Sequence, residues 1–399
     1  MDKAANVEFS SISTEKKRND PASPVPHFAP VVRLKRAAFI ALAAVALSAC
    51  NGAITKFLDD REWSNRRKLT FDNSAQAENL VNFPVLVRLD ASRIDYTKTQ
   101  DAGQDIRFYD ADNTTLLSHE IEKWDEAGTS SVWVKVPQID AASASDHIYM
   151  YYGNARAADA QSATAVWDSN FRGVWHLGAT AHDSTANAYN GTNAGAVTLV
   201  AGKSGDARSS DGATQYINMS GTTIAANLSA VTLSLWVNRT ANVGGQGLMC
   251  FSINNGGVAT GTSRLAFEVI TTTNLNGIVR APDGAASASF ATTSNPLANL
   301  NTWYQVTMTI DFSGKIITYY VDGSLNSASA VLGWAPNVTD STISASAALG
   351  AFDDGLVPFR GYTDEIRFSS VVRSAAWIAA DYKSTNDSFV SFGAEEIGR

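Results

Sequence analysis

The sequence contains only two cysteines, Cys50 and Cys250, in 399 residues. Two thiols cannot form the set of disulfides that stabilises many small secreted domains. The folded core must therefore be held together by the burial of apolar side chains. Cys250 lies in the apolar segment Leu248-Met249-Cys250-Phe251, which predicts a buried strand residue.

Charged residues are also scarce, at 18%, and the formal net charge is −8. Nucleic-acid binding requires a basic face for the phosphate backbone, and no such cluster of lysine and arginine is visible. The five histidines form no close pair of the His-Glu-x-x-His type, which would indicate a metalloenzyme. No Gly-x-Ser-x-Gly motif is present either, so a hydrolase triad has no nucleophile in that setting.

Long apolar segments are missing as well. The uncharged and mainly apolar run Ala37–Ala49 has thirteen residues, whereas a membrane-spanning helix needs about 20. Basic residues precede this run and small residues end it, which is typical of a secretory signal. We therefore assign residues 1–49 to a signal region. Because residues 1–30 are polar and proline-containing, our hypothesis is that translation begins at Val31 or Val32.

The four residues Leu47-Ser48-Ala49-Cys50 resemble the lipobox of bacterial lipoproteins. The resemblance implies that Cys50 is acylated and becomes the first residue of a membrane-anchored protein, since two or more acyl chains give stable anchoring. Asn51 follows the cysteine, where Asp would resemble an inner-membrane retention signal, so the outer membrane is favoured. The alternative is an ordinary signal peptide with an incidental cysteine.

Short alternating runs such as Val132-Trp133-Val134-Lys135-Val136 recur along the chain and predict an all-β protein. Asp322-Gly323 predicts a two-residue hairpin. The best helix candidate is Ala375–Lys383, with Ser374 as its N-cap. A weakly patterned, alanine-rich segment suggests a linker over residues 155–169, which divides the chain into domains at 60–154 and 170–397.

The first domain contains several distinctive segments that together resemble a bacterial domain of unknown function, often found beside MotA/TolQ/ExbB-type proteins. The segments are Trp63-Ser64-Asn65-Arg66-Arg67-Lys68, Phe83-Pro84-Val85-Leu86-Val87, Asp105-Ile106-Arg107-Phe108-Tyr109-Asp110, Val132-Trp133-Val134-Lys135-Val136-Pro137 and Tyr149-Met150-Tyr151-Tyr152-Gly153-Asn154. The resemblance implies a small β-sandwich and no particular chemistry.

The second domain resembles the concanavalin A-like, laminin G-type jelly roll through four ordered blocks. These are Asp183-Ser184-Thr185 with Asn190-Gly191-Thr192, then Val231-Thr232-Leu233-Ser234-Leu235-Trp236-Val237, then Asn301-Thr302-Trp303-Tyr304 with Tyr320-Val321-Asp322-Gly323, and Phe359-Arg360-Gly361-Tyr362-Thr363-Asp364-Glu365-Ile366-Arg367-Phe368. The resemblance implies two curved antiparallel sheets that contact a carbohydrate or a protein. Fold alone does not fix function.

The same resemblance implies a structural calcium ion, with Asp364 as a candidate ligand. Asp183, in a polar loop with Asn187 and Asn190, is a second candidate. The alternative is that Asp364 accepts backbone N–H groups and that Asp183 forms an Asx-turn. Asp364 and Glu365 are adjacent on a predicted strand, so their side chains should point to opposite faces and cannot act as a catalytic pair.

Glu120 and Glu122 share a strand face at a spacing that does not exclude the carboxylate pair of a glycosidase. However, they lie in the first domain, away from the jelly roll, so we expect a solvated strand face there. His176, in Val174-Trp175-His176-Leu177, is expected to pack at the start of the second domain.

Exposed aromatic side chains would stack on a sugar ring, and we select Trp334 and Phe352 as candidate ligand-binding residues. Trp334 lies in a turn-rich stretch, and Phe352 lies between Gly350 and Gly355. The alternative for both is a role in the core. The expected function is non-enzymatic binding of a glycan or an envelope protein by a lipid-anchored protein. The alternatives are a polysaccharide hydrolase or lyase, and an accessory subunit of an ExbB/TolQ-type envelope assembly.

Overall fold

The computed structural model describes residues 63–252, 264–280, 287–292, 294–329, 339, 346–352 and 355–397, all within one compact unit. Their regular structure is almost entirely antiparallel β, as the sequence predicts. Two helices also occur among these residues, α1 (Ala163–Val166) and α2 (Ala375–Thr385), together with a 3-10 turn at Tyr96–Lys98.

The first seven strands and the last one form a small sandwich of two sheets, here called the N-terminal sandwich. Its strands are β1 (Asn65–Phe71), β2 (Leu80–Leu89), β3 (Arg107–Asp110), β4 (Leu116–Leu117), β5 (His119–Lys123), β6 (Ser130–Ile139), β7 (His147–Tyr152) and β23 (Val390–Ile397). One sheet has the order β23-β1-β7-β3-β4 and the other β2-β6-β5. Alternating apolar residues, such as Val85 and Val134, fill the space between them.

The remaining strands form the jelly roll. They are β8 (Phe171–Trp175), β9 (Thr192–Ala194), β10 (Thr198–Ala201), β11 (Asp206–Asp211), β12 (Tyr216–Asn218), β13 (Ala230–Arg239), β14 (Gln246–Ser252), β15 (Arg264–Val269), β16 (Leu275–Arg280), β17 (Ser287–Ala291), β18 (Trp303–Asp311), β19 (Ile316–Val321), β20 (Ser324–Ala328), β21 (Ser346–Leu349) and β22 (Arg360–Ser369).

Two sheets face each other in this jelly roll. The larger has the order β10-β11-β22-β13-β18-β19-β20, and β8 also pairs with β22. The other has the order β17-β16-β15-β14-β21-β12-β9. Alternate residues of β13, namely Leu233, Leu235 and Val237, point into the core between the sheets, and the residues between them lie on the outer face.

The last strand, β23, departs from the predicted domain division. The sequence analysis placed residues 390–397 in the jelly roll, but β23 pairs along β1 in the N-terminal sandwich, from Asn65 opposite Ile397 to Phe71 opposite Val390. Alternation in a sequence reveals a strand but not its partner. The N-terminal sandwich is therefore completed by the C-terminal end of the chain.

The predicted linker over residues 155–169 packs against the folded body at its end. Val166 and Trp167 are buried in the same hydrophobic core as the N-terminal sandwich. The indole Nε1 of Trp167 donates to the Glu120 carboxylate at 2.8 Å. This segment therefore contributes to the junction between the two domains.

Two local predictions are confirmed. Asp322 and Gly323 connect β19 and β20 with positive φ angles of 50° and 72°, the conformation of a tight hairpin turn. Helix α2 begins after Ser374, whose Oγ accepts the Trp377 N–H at 3.1 Å. This helix also contacts the N-terminal sandwich, since Ser384 Oγ accepts the Leu86 N–H. No helix in the described part of the chain is long and apolar enough to cross a bilayer.

Candidate functional site

A buried group of charged side chains lies where the N-terminal sandwich meets the jelly roll. It comprises Glu120 and Glu122 from β5, His176 directly after β8, and Glu365 and Arg367 from β22. We call these five residues the junction cluster. The two glutamates predicted to lie on a solvated face, away from the jelly roll, are in fact in contact with it.

His176 is at the centre of the junction cluster. Its Nδ1 lies 2.6 Å from Glu365 Oε1 and 3.7 Å from Glu122 Oε2, and its Nε2 lies 3.4 Å from Glu120 Oε2. Its ring stacks on Trp133 at a centroid distance of 5.7 Å. The negative charges of Glu365 and Glu120 outweigh the effect of burial, so the pKa of His176 is raised well above its usual value.

Arg367 neutralises the other side of Glu365. Its Nη2 lies 2.6 Å from Glu365 Oε2, and its Nη1 bonds to Asp381 of α2. The guanidinium lies 4.5 Å from the centre of the Trp133 ring, a cation–π contact. Glu365 is thus held between two cations, and its pKa is lowered despite its burial, chiefly by the charges of His176 and Arg367.

Glu122 is less well compensated. Its Oε2 accepts the Trp133 indole N–H at 2.8 Å and the Ser204 hydroxyl at 2.5 Å, while its buried Oε1 has no hydrogen-bond partner among the described residues. Burial, followed by the negative charge of Glu365, raises the pKa of Glu122 to about 7. Glu122 therefore holds its proton to a higher pH than an ordinary glutamate does.

A β-bulge in β22 determines where Glu365 points. The pairing of β13 with β22 shifts register between Ser234 and Trp236, opposite this part of β22, and Glu365 has a φ of 51°. A regular strand would send Asp364 and Glu365 to opposite faces, as the sequence analysis assumed. The bulge breaks that alternation. Burial raises the pKa of Asp364, and the negative charges of Glu365 and Glu122 raise it further.

The junction cluster is largely enclosed. The side chains of His176 and Glu120 are 11% and 9% exposed, and that of Glu365 is 1% exposed. Glu122, His176 and Glu365 offer donor atoms within 4.8 Å of one another, a spacing that a metal ion could share. Glu122 Oε2, His176 Nδ1 and Glu365 Oε1 already contact other protein groups, whereas Glu122 Oε1 has no hydrogen-bond partner among the described residues. The arrangement is that of a polar contact that fixes one domain on the other.

The two predicted calcium ligands accept N–H groups instead. Asp364 is fully buried, and its Oδ2 accepts the backbone N–H groups of Lys203 and Ser204 at 2.7 and 3.0 Å. Asp183 accepts the backbone N–H groups of Val174, Thr185 and Tyr189. These contacts match the alternative stated for both residues, and the calcium site stays a prediction.

The predicted ligand-binding aromatics do not supply a described sugar platform. Phe352 is 8% exposed and packs with Cys250 and Ala266, so the prediction of an exposed ring there is wrong. The flanking glycines suggested an open loop, but the ring turns inward. Trp334 and the proposed lipidation site Cys50 lie outside the described residues.

Two cavities are prominent among the described residues. One, of about 30 Å³, lies between β11 and β12 and has room for little more than water. The other is an open groove of about 460 Å³ in the N-terminal sandwich, lined in part by Arg67, Tyr96 and Glu395. Glu395 in this groove already accepts the Tyr152 hydroxyl at 2.5 Å.

Comparison with known families agrees with this architecture. Residues 102–177 match the family DUF2341, a domain of unknown function, and residues 211–379 match the Laminin_G_3 family, described as the concanavalin A-like lectin/glucanases superfamily. The chain is therefore an all-β protein in which a DUF2341 domain is followed by a concanavalin A-like domain. No curated protein sequence matches the chain.

Three solved structures to which the chain is similar are as follows. Domain 4 of AbnA, a GH43 extracellular arabinanase from Geobacillus stearothermophilus, in complex with arabinotriose, is 16% identical, with a TM-score of 0.40 over 53% of this chain and 98% of that one. The binding domain of Paraclostridial Mosquitocidal Protein 1 is 14% identical, with a TM-score of 0.42 over 54% of this chain and 52% of that one. The CBM40 domain of the Ruminococcus gnavus IT-sialidase, bound to α2,3-sialyllactose, is 16% identical, with a TM-score of 0.33 over 40% of this chain and 85% of that one.

Proposed function

We propose that the protein is a lipid-anchored, non-catalytic glycan-binding protein of the bacterial envelope. The observation that carries this proposal is the concanavalin A-like domain at residues 211–379, which belongs to a superfamily of lectins and glucanases. Within that choice, the enclosure of the junction cluster favours binding over hydrolysis. A glycosidase needs two carboxyl groups that can reach the scissile bond from solvent.

The N-terminal sandwich has a supporting role in this proposal. The junction cluster and helix α2 join it to the jelly roll. The anchor itself is proposed from the lipobox resemblance, with the outer membrane as the favoured location.

A binding screen tests the proposal directly. The chain carrying Cys50→Ser, which cannot be acylated, is purified and tested against a panel of immobilised glycans with calcium and with chelator. We expect binding to at least one glycan, and the comparison of calcium with chelator tests the calcium prediction. Absence of binding to every glycan in both conditions would move the assignment to the envelope-assembly alternative.

The anchor is tested separately. Mass spectrometry of the protein extracted from membranes should find a mature N-terminus at Cys50 carrying two or three acyl chains. The Cys50→Ser variant should remain unacylated and leave the membrane fraction. A mature wild-type protein with an unmodified thiol would contradict the anchor but not the binding role.

A further inference from the structure

The outer face of the larger jelly-roll sheet carries two aromatic side chains in one row. Asn238, near the end of β13, lies directly opposite Trp303 on β18 and directly opposite Tyr362 on β22. Residues directly opposite each other in a sheet share a face, so all three side chains lie on one side. This is the side opposite to Val237, which points into the core.

The two rings lean toward each other across the central strand. Their centroids are 6.3 Å apart and their planes are inclined at 41°. Both rings remain partly exposed, while Asn238 beneath them is only 6% exposed. The pair therefore forms an aromatic surface with an amide at its base.

The amide of Asn238 has an unused acceptor. Its Oδ1 is buried and has no hydrogen-bond partner among the residues that the structure describes. A buried carbonyl without a donor costs about 1–3 kcal/mol, and such groups in native proteins call for an explanation. A ligand hydroxyl that reached this oxygen would supply the missing donor.

The neighbouring position on the same face sets the limit of this surface. Trp236, two residues earlier on β13, is 2% exposed, because Tyr382 of α2 stacks on its ring and the Lys203 ammonium lies 4.4 Å from its centre. Helix α2 thus covers the sheet up to Trp236. The row of Asn238, Trp303 and Tyr362 contains no charged side chain.

We propose that Trp303, Asn238 and Tyr362 form the glycan-binding platform of this protein, and that its ligand is a neutral, pyranose-containing glycan. The inference rests on the proposed function and names its site. The aromatic rings contact the apolar face of a sugar ring, and the Asn238 carbonyl accepts one sugar hydroxyl. Because the carbonyl is buried between the strands that carry the two rings, binding moves the side chains around it and changes the environment of Trp303.

Affinity gel electrophoresis with the Cys50→Ser chain tests the platform. The probes are four soluble neutral polysaccharides: mixed-linkage β-glucan, xylan, galactomannan and dextran. We expect retardation by at least one of them, and a loss of affinity of roughly tenfold or more for Trp303→Ala and for Tyr362→Ala, since each removes a large buried apolar contact. Asn238→Ala should lose about two- to tenfold, the equivalent of one hydrogen bond.

Tyr149→Ala is the matched control. Tyr149 is a partly exposed tyrosine on a sheet face of the N-terminal sandwich, covered by the Arg66 guanidinium at 4.5 Å, and its loss should leave binding unchanged. Thermal unfolding of each variant verifies that it is folded. Should an alanine variant fail to fold, the folded Trp303→Phe chain provides a second measurement. Polysaccharide should change tryptophan fluorescence in the parent chain by more than in Trp303→Phe.

The outcomes separate the platform from the proposed function. Two results would overturn the platform and place glycan binding elsewhere on the protein. One is that Trp303→Ala and Tyr362→Ala bind as well as the parent chain, and the other is that Trp303→Phe shows the full fluorescence change. No retardation by any of the four polysaccharides overturns the platform as a site for neutral pyranose glycans. Binding in the immobilised panel in that case would preserve the proposed function with a different ligand class.

Discussion

His176 and Glu365, 189 positions apart in the chain, are joined by a contact of 2.6 Å between Nδ1 and Oε1. This contact links the end of β8 to the bulge in β22, and the same imidazole reaches Glu120 and Glu122 of the N-terminal sandwich. One side chain therefore connects the two domains.

Replacing His176 with leucine should destabilise the protein by about 3–5 kcal/mol, because removal of one partner from a buried ion pair leaves the other charges uncompensated. Urea unfolding followed by fluorescence measures the change. The control is His147→Leu, at a half-buried histidine whose Nδ1 lies near the Ser145 carbonyl and whose ring contacts Tyr149. A loss no larger than that of the control would mean that the junction cluster contributes little to stability.

Glu122 should make the protein less stable as the pH rises. Its pKa is about 7 in the folded chain against 4.5 as the ordinary value, so between these limits the folded state binds more protons than the unfolded state. The contribution is fully present below pH 4.5 and is lost as the pH rises through 7. In Glu122→Gln this contribution is absent.

Urea unfolding of the wild type and of Glu122→Gln at pH 5, 6, 7 and 8 measures that difference. The stability of the wild type relative to the variant should fall steadily across the series. A constant difference would show that Glu122 does not titrate in this range.

His119 should have the opposite pH dependence. It is buried next to Arg107, and burial with that positive charge lowers its pKa from 6.5 to about 4. Between these values the unfolded state binds more protons, so stability is lost as the pH falls below 6.5. His119→Phe removes this loss and also removes a buried Nε2 that has no partner among the described residues.

Accordingly, the stability of His119→Phe relative to the wild type should be higher at pH 5 than at pH 7.5, as measured by urea unfolding. His147→Phe serves as the control for adding a phenyl ring. An equal difference at both pH values would exclude His119 as the source of acid sensitivity.

Ending the chain at Phe389 should destabilise the N-terminal sandwich, because β1 loses the partner strand β23 and becomes an open edge. Open edges promote association, so aggregation should accompany a lower unfolding temperature. Light scattering during thermal unfolding measures both effects. Leu325→Ser on the outer strand β20, at a residue 64% exposed, should change stability by no more than about 0.5 kcal/mol. A truncated chain that unfolds like the full-length protein without aggregating would show that β23 is dispensable.

Periodicity and turn chemistry were sufficient to predict the β-rich body, the Asp322-Gly323 hairpin and helix α2, since each depends on nearby residues. The pairing of β23 with β1 could not be predicted, because alternation carries no information about a distant partner. The bulge at Glu365 was equally hidden, and with it the convergence of that carboxylate on His176. Nothing in the sequence positions of His176 and Glu120 indicated a contact made across two domains.

Aromatic platform residues were difficult to select for a related reason. Phe352 was chosen for its glycine-rich surroundings, but the exposure of a ring depends on which face of a sheet it occupies. Trp303 was noted only as part of a fold motif, and its position beside Tyr362 follows from the register of β18, β13 and β22.

The most direct test of the central claim measures binding and turnover in one sample. A glycan that the Cys50→Ser chain binds is incubated with the protein, and its chain length is followed by size-exclusion chromatography while complex formation is followed by calorimetry. We predict saturable binding with no change in the chain length of the glycan. Shortening of the glycan that Glu122→Gln abolishes would contradict a non-catalytic role and identify the junction cluster as a reaction centre.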